Sequence, residues 1–219
     1  MALKGGLRDN RIYAIIAVFV IIVIILAVLF SGRDLFPARI SHDFWGDDWS
    51  EDISERTSSS ALFGLESSVS FKYVNNNNSF PAYVTVTTMK TFFMMSEEEL
   101  NERTIETIKK ASKENFVINY DTHLTGERVL KKGHRTMYVT YNASNIVNNI
   151  SEKTMIIGES WNCGVSGTSV ICIGVARVTN NSKTNTSFWQ EIVRDKQGSF
   201  GTEEGFIGSN GLIYNVECH

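Results

Sequence analysis

The chain has 219 residues, 42% of them hydrophobic and 21% charged, with a formal net charge of −3. Outside the basic leading segment it has no block of lysine and arginine, which argues against nucleic acid or anionic lipid as the main partner of the larger part. The residues beyond 56 suffice for one domain with its own core.

The first eleven residues, MALKGGLRDNR, carry Lys4, Arg8 and Arg11 against Asp9. Residues Ile12 to Phe30 then run without a charge, fifteen of the nineteen being Ile, Val, Leu or Phe. As a helix at 1.5 Å per residue that stretch is about 28 Å long, close to the ~30 Å hydrocarbon core of a bilayer. At about −0.3 to −0.6 kcal/mol per such side chain, insertion is favourable by roughly 4 to 9 kcal/mol. The spacing predicts a transmembrane helix over 12–30. A cleaved signal peptide is the rival reading, but LAVLFSGRD lacks an A-x-A site and the apolar run exceeds the usual 7 to 15 residues. The basic residues near the span predict a cytoplasmic tail over 1–11, with everything after the span outside, in a single-pass cell-membrane protein whose lipid partner contacts residues 12–30.

Residues 31–56 read as a membrane-proximal stalk. Phe36, Phe44, Trp45 and Trp49 suit the headgroup level, and the acids of SHDFWGDDWSEDISER lack the order of a calcium loop, which makes the segment a solvated spacer.

From about Ser58 the pattern turns to strands. ALFGLESSVSFKYV and FPAYVTVTTMKTFFM flank NNNNS and predict a hairpin. SEEELNERTIETIKKASKEN predicts a helix capped by Ser96 with Glu99 at capping-box spacing, and Leu100, Ile105, Ile108 and Ala111 as its apolar stripe. NFVINY and GERVLKKGHRTMYVTYNAS follow as strands, the second turning at Lys132-Gly133. GESWNCGVSGTSVICIGVARV predicts a further hairpin, NTSFWQEIVRDKQG a short helix burying Phe188, Trp189, Ile192 and Val193, and GLIYNVECH a last strand. The expected fold is α+β, an antiparallel sheet with two packed helices over residues 57–219, preceded by the single transmembrane helix.

A two-residue turn at Gly167-Thr168 would place Cys163 opposite Cys172, with Cα atoms ~4.5 Å apart, and Trp161 opposite Gly174. That separation suits a disulfide, so Cys163–Cys172 is the leading pair, with Cys172–Cys218, Cys163–Cys218 and no bridge as alternatives. A metal site would need Cys163, Cys172, Cys218 and His219 to converge, and the eight residues between Cys163 and Cys172 do not fit the C-x2-4-C spacing of zinc sites. No metal or cofactor is expected, and His123 and His134 read as exposed hairpin residues.

N-x-[ST] tripeptides at Asn77, Asn142, Asn149, Asn180 and Asn185 are candidate glycosylation acceptors on an outside domain. Gly201, Gly205, Gly208 and Gly211 punctuate GSFGTEEGFIGSNG, a candidate binding loop that lacks the lysine of a phosphate loop. GVSGT has threonine where a nucleophile elbow needs glycine, and neither H-E-x-x-H nor C-x-x-C is present. These absences, with the anchor, predict a membrane-anchored extracytoplasmic binding or structural module that meets a protein or envelope partner. The alternative is an anchored hydrolase or thiol enzyme using Cys218 or Cys163 with His134 or His219.

Overall fold

The computed structural model describes residues 6–31, 35–45, 48–61, 66–76, 82–112, 116–147, 150–178, 188–193 and 210–219; for 6–11, 26–31, 112, 145–147 and 150–152 it describes the backbone alone. The chain opens with helix α1 (Gly6–Ser31), then β1 (Arg39–Ile40), β2 (Trp49–Glu51), β3 (Thr57–Ala61), β4 (Glu66–Asn75) and β5 (Tyr83–Thr91). Helix α2 (Glu97–Ser112) leads to the long hairpin strands β6 (Val117–Val129) and β7 (Arg135–Val147), then β8 (Ile150–Cys163) and β9 (Thr168–Arg177). Helix α3 (Phe188–Val193) and the two-residue β10 (Val216–Glu217) complete the described elements.

Strands β2-β4-β5-β9-β8-β7-β6 form one sheet in that order, with β3 also paired to β4, and every pairing is antiparallel. The fold is therefore a mostly antiparallel sheet with few helices, of α+β character. The hairpin expected from ALFGLESSVSFKYV and FPAYVTVTTMKTFFM is present as β4–β5, and the expected turn at Lys132-Gly133 joins β6 to β7, but NFVINY and GERV, expected as separate strands, run together as β6. Helix α2 lies on one face, where Leu100 and Ile108 meet Val139, Ile156, Ile171, Ile173 and Val175. The opposite face carries Phe71, Val84, Val86, Val170 and Cys172 against α3 and the segments around β1 and β10, through Ala38, Ile40, Ile192, Leu212, Ile213 and Val216. Strand β9 is thus covered on both faces and is buried from Thr168 to Ala176, which suits its near-continuous apolar sequence. Its Gly174 is a point of close approach: a Cβ there would stand 2.7 Å from Ile192 Cγ2 of α3.

Several expectations are corrected. The stretch read as a spacer belongs to the domain: β2 pairs with β4, and Ala38, Ile40 and Trp49 are buried. Trp49 donates its indole N–H to Glu191 Oε2 at 2.9 Å and Trp45 to the Ile40 carbonyl at 3.1 Å, so these rings serve packing, whereas Phe36 is exposed. GLIYNVECH is a single 3-10 turn over Ile213–Asn215 with a strand of only two residues, paired to β1. Strand β3 was not foreseen, because TSSSA is polar and all five residues are exposed.

In α1 the described side chains, residues 12–25, are all exposed. Among the described residues no helix is long and apolar enough to cross a membrane; in α1 those side chains stop five residues short of the end of the uncharged run at Phe30.

Candidate functional site

At one end of the sheet three segments converge. The first is the turn between β6 and β7. Leu130 N–H donates to the His134 carbonyl and Gly133 N–H to the Leu130 carbonyl, both at 2.9 Å, and Gly133 takes φ +83°, a conformation that suits glycine. His134 leaves this turn stacked over Trp161, with ring centroids 6.4 Å apart. The second is the β8–β9 turn, where Gly167 N–H donates to the Cys163 carbonyl at 2.8 Å and Gly167 sits at φ +65°. The third is Cys218 and His219, just past β10. That segment is held by the β1 pairing, by Lys131 N–H donating to the Tyr214 carbonyl at 3.2 Å, and by the Lys132–Glu217 ion pair at 3.4 Å.

The result is a cluster of two thiols and two imidazoles. Cys218 Sγ lies 3.2 Å from His134 Nε2 and 3.7 Å from His219 Nδ1, and Cys163 Sγ lies 3.5 Å from the same His219 Nδ1. One ligand atom from each of the four residues fits within a mutual 4.8 Å. Both cysteines are fully buried, His134 is half-buried and His219 is exposed.

Burial pushes the Cys218 thiol up to about 12, and the neighbouring Cys163 sulfur adds to the rise. Burial also acts to raise the Cys163 thiol, but hydrogen bonds from Cys218, from the Ser166 hydroxyl and amide, and from His219 bring it below its ordinary value. Of the two sulfurs, Cys163 therefore gives up its proton first. Burial, and then the His219 charge, lower the His134 imidazole, which favours the neutral ring that ligates metals and accepts protons. The Trp161 indole N–H is buried and has no hydrogen-bond acceptor among the described residues. It nevertheless lowers the Cys218 thiol, which places it beside that sulfur.

Chemically this donor set can bind a soft or borderline metal ion, join its two sulfurs, or pair a thiol with a base. The last needs access for a substrate. A cleft between the start of α2 and strands β6–β8 is lined by Glu97, Leu100, Arg135, Trp161 and Asn162 among others, and by none of the four cluster residues.

The Cys163–Cys172 pairing fails on register. The turn spans residues 164–167, centred two residues earlier than Gly167-Thr168, so Cys163 faces Thr168 and Cys172 faces Glu159. Four residues of offset at ~3.4 Å each separate the two cysteines by about 14 Å along the strands, past the ~7 Å a disulfide can bridge. Trp161 faces Val170 and Gly174 faces Ile157. All three cysteines are unbridged, and burial holds the Cys172 thiol well above its ordinary value. His134 is likewise no exposed turn residue. No local motif announces the cluster, since His134 and Cys163 lie 84 and 56 residues from their partners Cys218 and His219.

Deeper on the same face, Arg128 donates Nε to Glu159 Oε1 at 2.8 Å and Nη2 to Oε2 at 2.5 Å, while Thr136 Oγ1 donates to Oε1 at 2.5 Å. Of the other predicted site residues, Asn142 is exposed on β7, His123 is exposed on β6, and Gly211 stands at φ +93° with its N–H accepted by Asn210 Oδ1 at 2.8 Å. Asn77, Asn149, Asn180, Asn185, Gly201, Gly205 and Gly208 lie outside the described residues. Compared with protein-family models, with curated proteins and with solved structures, the chain matches none of them.

Proposed function

We propose that this protein is a membrane-anchored extracytoplasmic module with a binding or structural role, its anchor the uncharged run 12–30 and its tail 1–11 cytoplasmic. The observation that carries the reading is α1. Its large apolar side chains from Ile12 to Ile25 are each between 48% and 70% exposed, and the sequence stays apolar to Phe30. Leaving such side chains in water forgoes about 1.5–3 kcal/mol apiece relative to burial. A bilayer recovers that energy for the whole run at once, and the basic residues ahead of it favour this orientation. Asn142, exposed in an N-x-S tripeptide, is then available to a glycosylating host.

The thiol-enzyme reading is favoured by the 3.2 Å contact of Cys218 with His134. Against it stand the complete burial of both sulfurs and a Cys218 thiol at about 12, far from a nucleophile's range. Two measurements on the full chain test the proposal. It should stay in the membrane pellet through an alkaline carbonate wash, and a tag placed after His219 should be reachable by protease on intact cells. A carbonate-soluble product, or a protected tag, sinks the anchor. A thiol that reacts rapidly with a maleimide at neutral pH in the native protein would favour the enzyme.

A further inference from the structure

We propose that His134, Cys163, Cys218 and His219 form a tetrahedral Cys2His2 site for a zinc-class divalent ion, which fastens the β10 segment to the ends of the β6–β7 and β8–β9 hairpins. This goes beyond the anchored-module reading and does not depend on it.

The distances carry the assignment. With metal–sulfur bonds of ~2.3 Å and metal–nitrogen bonds of ~2.0–2.1 Å, a tetrahedral site has sulfur–nitrogen edges of about 3.5 Å. Three of the four sulfur–nitrogen edges measure 3.2, 3.5 and 3.7 Å, and the fourth, Cys163 to His134, is within 4.8 Å. Hydrogen bonding alone accounts poorly for the pattern. His219 Nδ1 addresses both sulfurs at once, and Cys218 Sγ addresses both imidazoles, whereas one ring nitrogen offers one proton or one lone pair. Cys218 and His219 each face two of the other donors, and all four ligand atoms lie within 4.8 Å of one another, as a shared central cation requires.

The surroundings fit as well. The buried Trp161 N–H, which lacks an acceptor among the described residues, lies beside Cys218, and the Ser166 amide and hydroxyl approach Cys163, so each sulfur has a donor of the kind that supports a metal-bound thiolate. Two thiolates and a divalent ion sum to zero charge, which the burial of both sulfurs demands. Oxygen ligands are absent from the set, which excludes calcium and magnesium, and two sulfurs with two imidazoles in tetrahedral array suit zinc. Binding displaces one proton from each thiol, so two protons leave for every ion bound. With all four positions taken by protein, the site is of the closed, structural kind.

The test uses the full chain, purified in detergent with a non-thiol reductant, stripped by chelator and titrated with Co(II). The expected result is a one-to-one endpoint with the intense visible bands of tetrahedral cobalt and a thiolate-to-metal charge-transfer band, both abolished by added Zn(II). Cys172→Ser should leave the spectrum unchanged. Losing a supporting partner of a ligand typically weakens metal affinity about 10–100-fold, and loss of a ligand itself should exceed that in Cys163→Ser, Cys218→Ser and His219→Gln. His219 is exposed, so its variant tests ligation without disturbing the fold. Weak, octahedral-type bands, no stoichiometric endpoint, or an unaltered spectrum in His219→Gln would overturn the site. So would peptide mapping of protein isolated without reductant that finds Cys163 joined to Cys218.

Discussion

Glu159 is fully buried, and its carboxylate has a reason to be there: Arg128 grips it with two parallel N–H donors and Thr136 supplies a third. Removing one member of a buried pair strands the other, at a cost of about 3–5 kcal/mol. Arg128→Met should therefore lower the unfolding free energy in urea by about that much, whereas Arg128→Met with Glu159→Leu should recover most of the loss. A single variant within 1 kcal/mol of the parent would mean that water reaches the carboxylate. Neither this network nor the thiol cluster is legible in the sequence, because both depend on register. The inward parity of Trp161 and Cys163 can be read from the alternation of β8, but which residue faces them cannot. Moving the centre of one turn by two residues takes Cys172 from Cys163 to Glu159 and leaves the Cys163 sulfur to meet His219 instead.

Among the elements, α2 was the most legible, because its signals are local. Ser96 accepts the Glu99 N–H at 3.1 Å, and Glu97, Glu98 and Glu99 occupy the first turn, where the helix dipole favours negative charge. Ser96→Ala should cost about 1 kcal/mol of stability in thermal or urea unfolding, and Ser96→Asp should restore it. A loss of Ser96 without effect would show that packing alone sets the start of the helix. The stripe was read with one omission. Thr104 is buried between Leu100 and Ile108 because its hydroxyl donates to the Leu100 carbonyl at 2.7 Å, a local bond that removes the penalty of a polar group in the core. Strand β3 was invisible for the opposite reason. Its pairing to β4 rests on backbone and on serine pairs such as Ser59–Ser68 at 2.8 Å, which leave no hydrophobic alternation to detect.

Across the whole molecule, the segment after α1 is folded onto the sheet by contacts that no periodicity reports. Ala38 N–H donates to Thr88 Oγ1 at 2.7 Å, Ile40 N–H donates to the Tyr73 hydroxyl at 3.2 Å, and β1 then pairs with β10, so the strand after α1 and the segment that carries Cys218 and His219 close the same face. Tyr73 makes this docking measurable by pH. Burial, assisted by the charge of Glu51, raises its phenol from 10.0 to about 12, against the pull of the Ile40 bond and Arg39. A group whose pKa is raised on folding contributes stability that is complete below its unfolded value and is lost as pH climbs through its folded one. Two units correspond to about 2–3 kcal/mol, lost between roughly pH 10 and 12. Tyr73→Phe forgoes the Ile40 hydrogen bond, about 1 kcal/mol, but has no phenol to ionise. The parent should therefore be the more stable of the two near pH 9 and the less stable above about pH 11, a crossing that other alkaline titrations cannot produce because they cancel in the difference. Parallel curves across that window would place the Tyr73 hydroxyl in contact with water, and the segment it holds would then be free to leave the sheet.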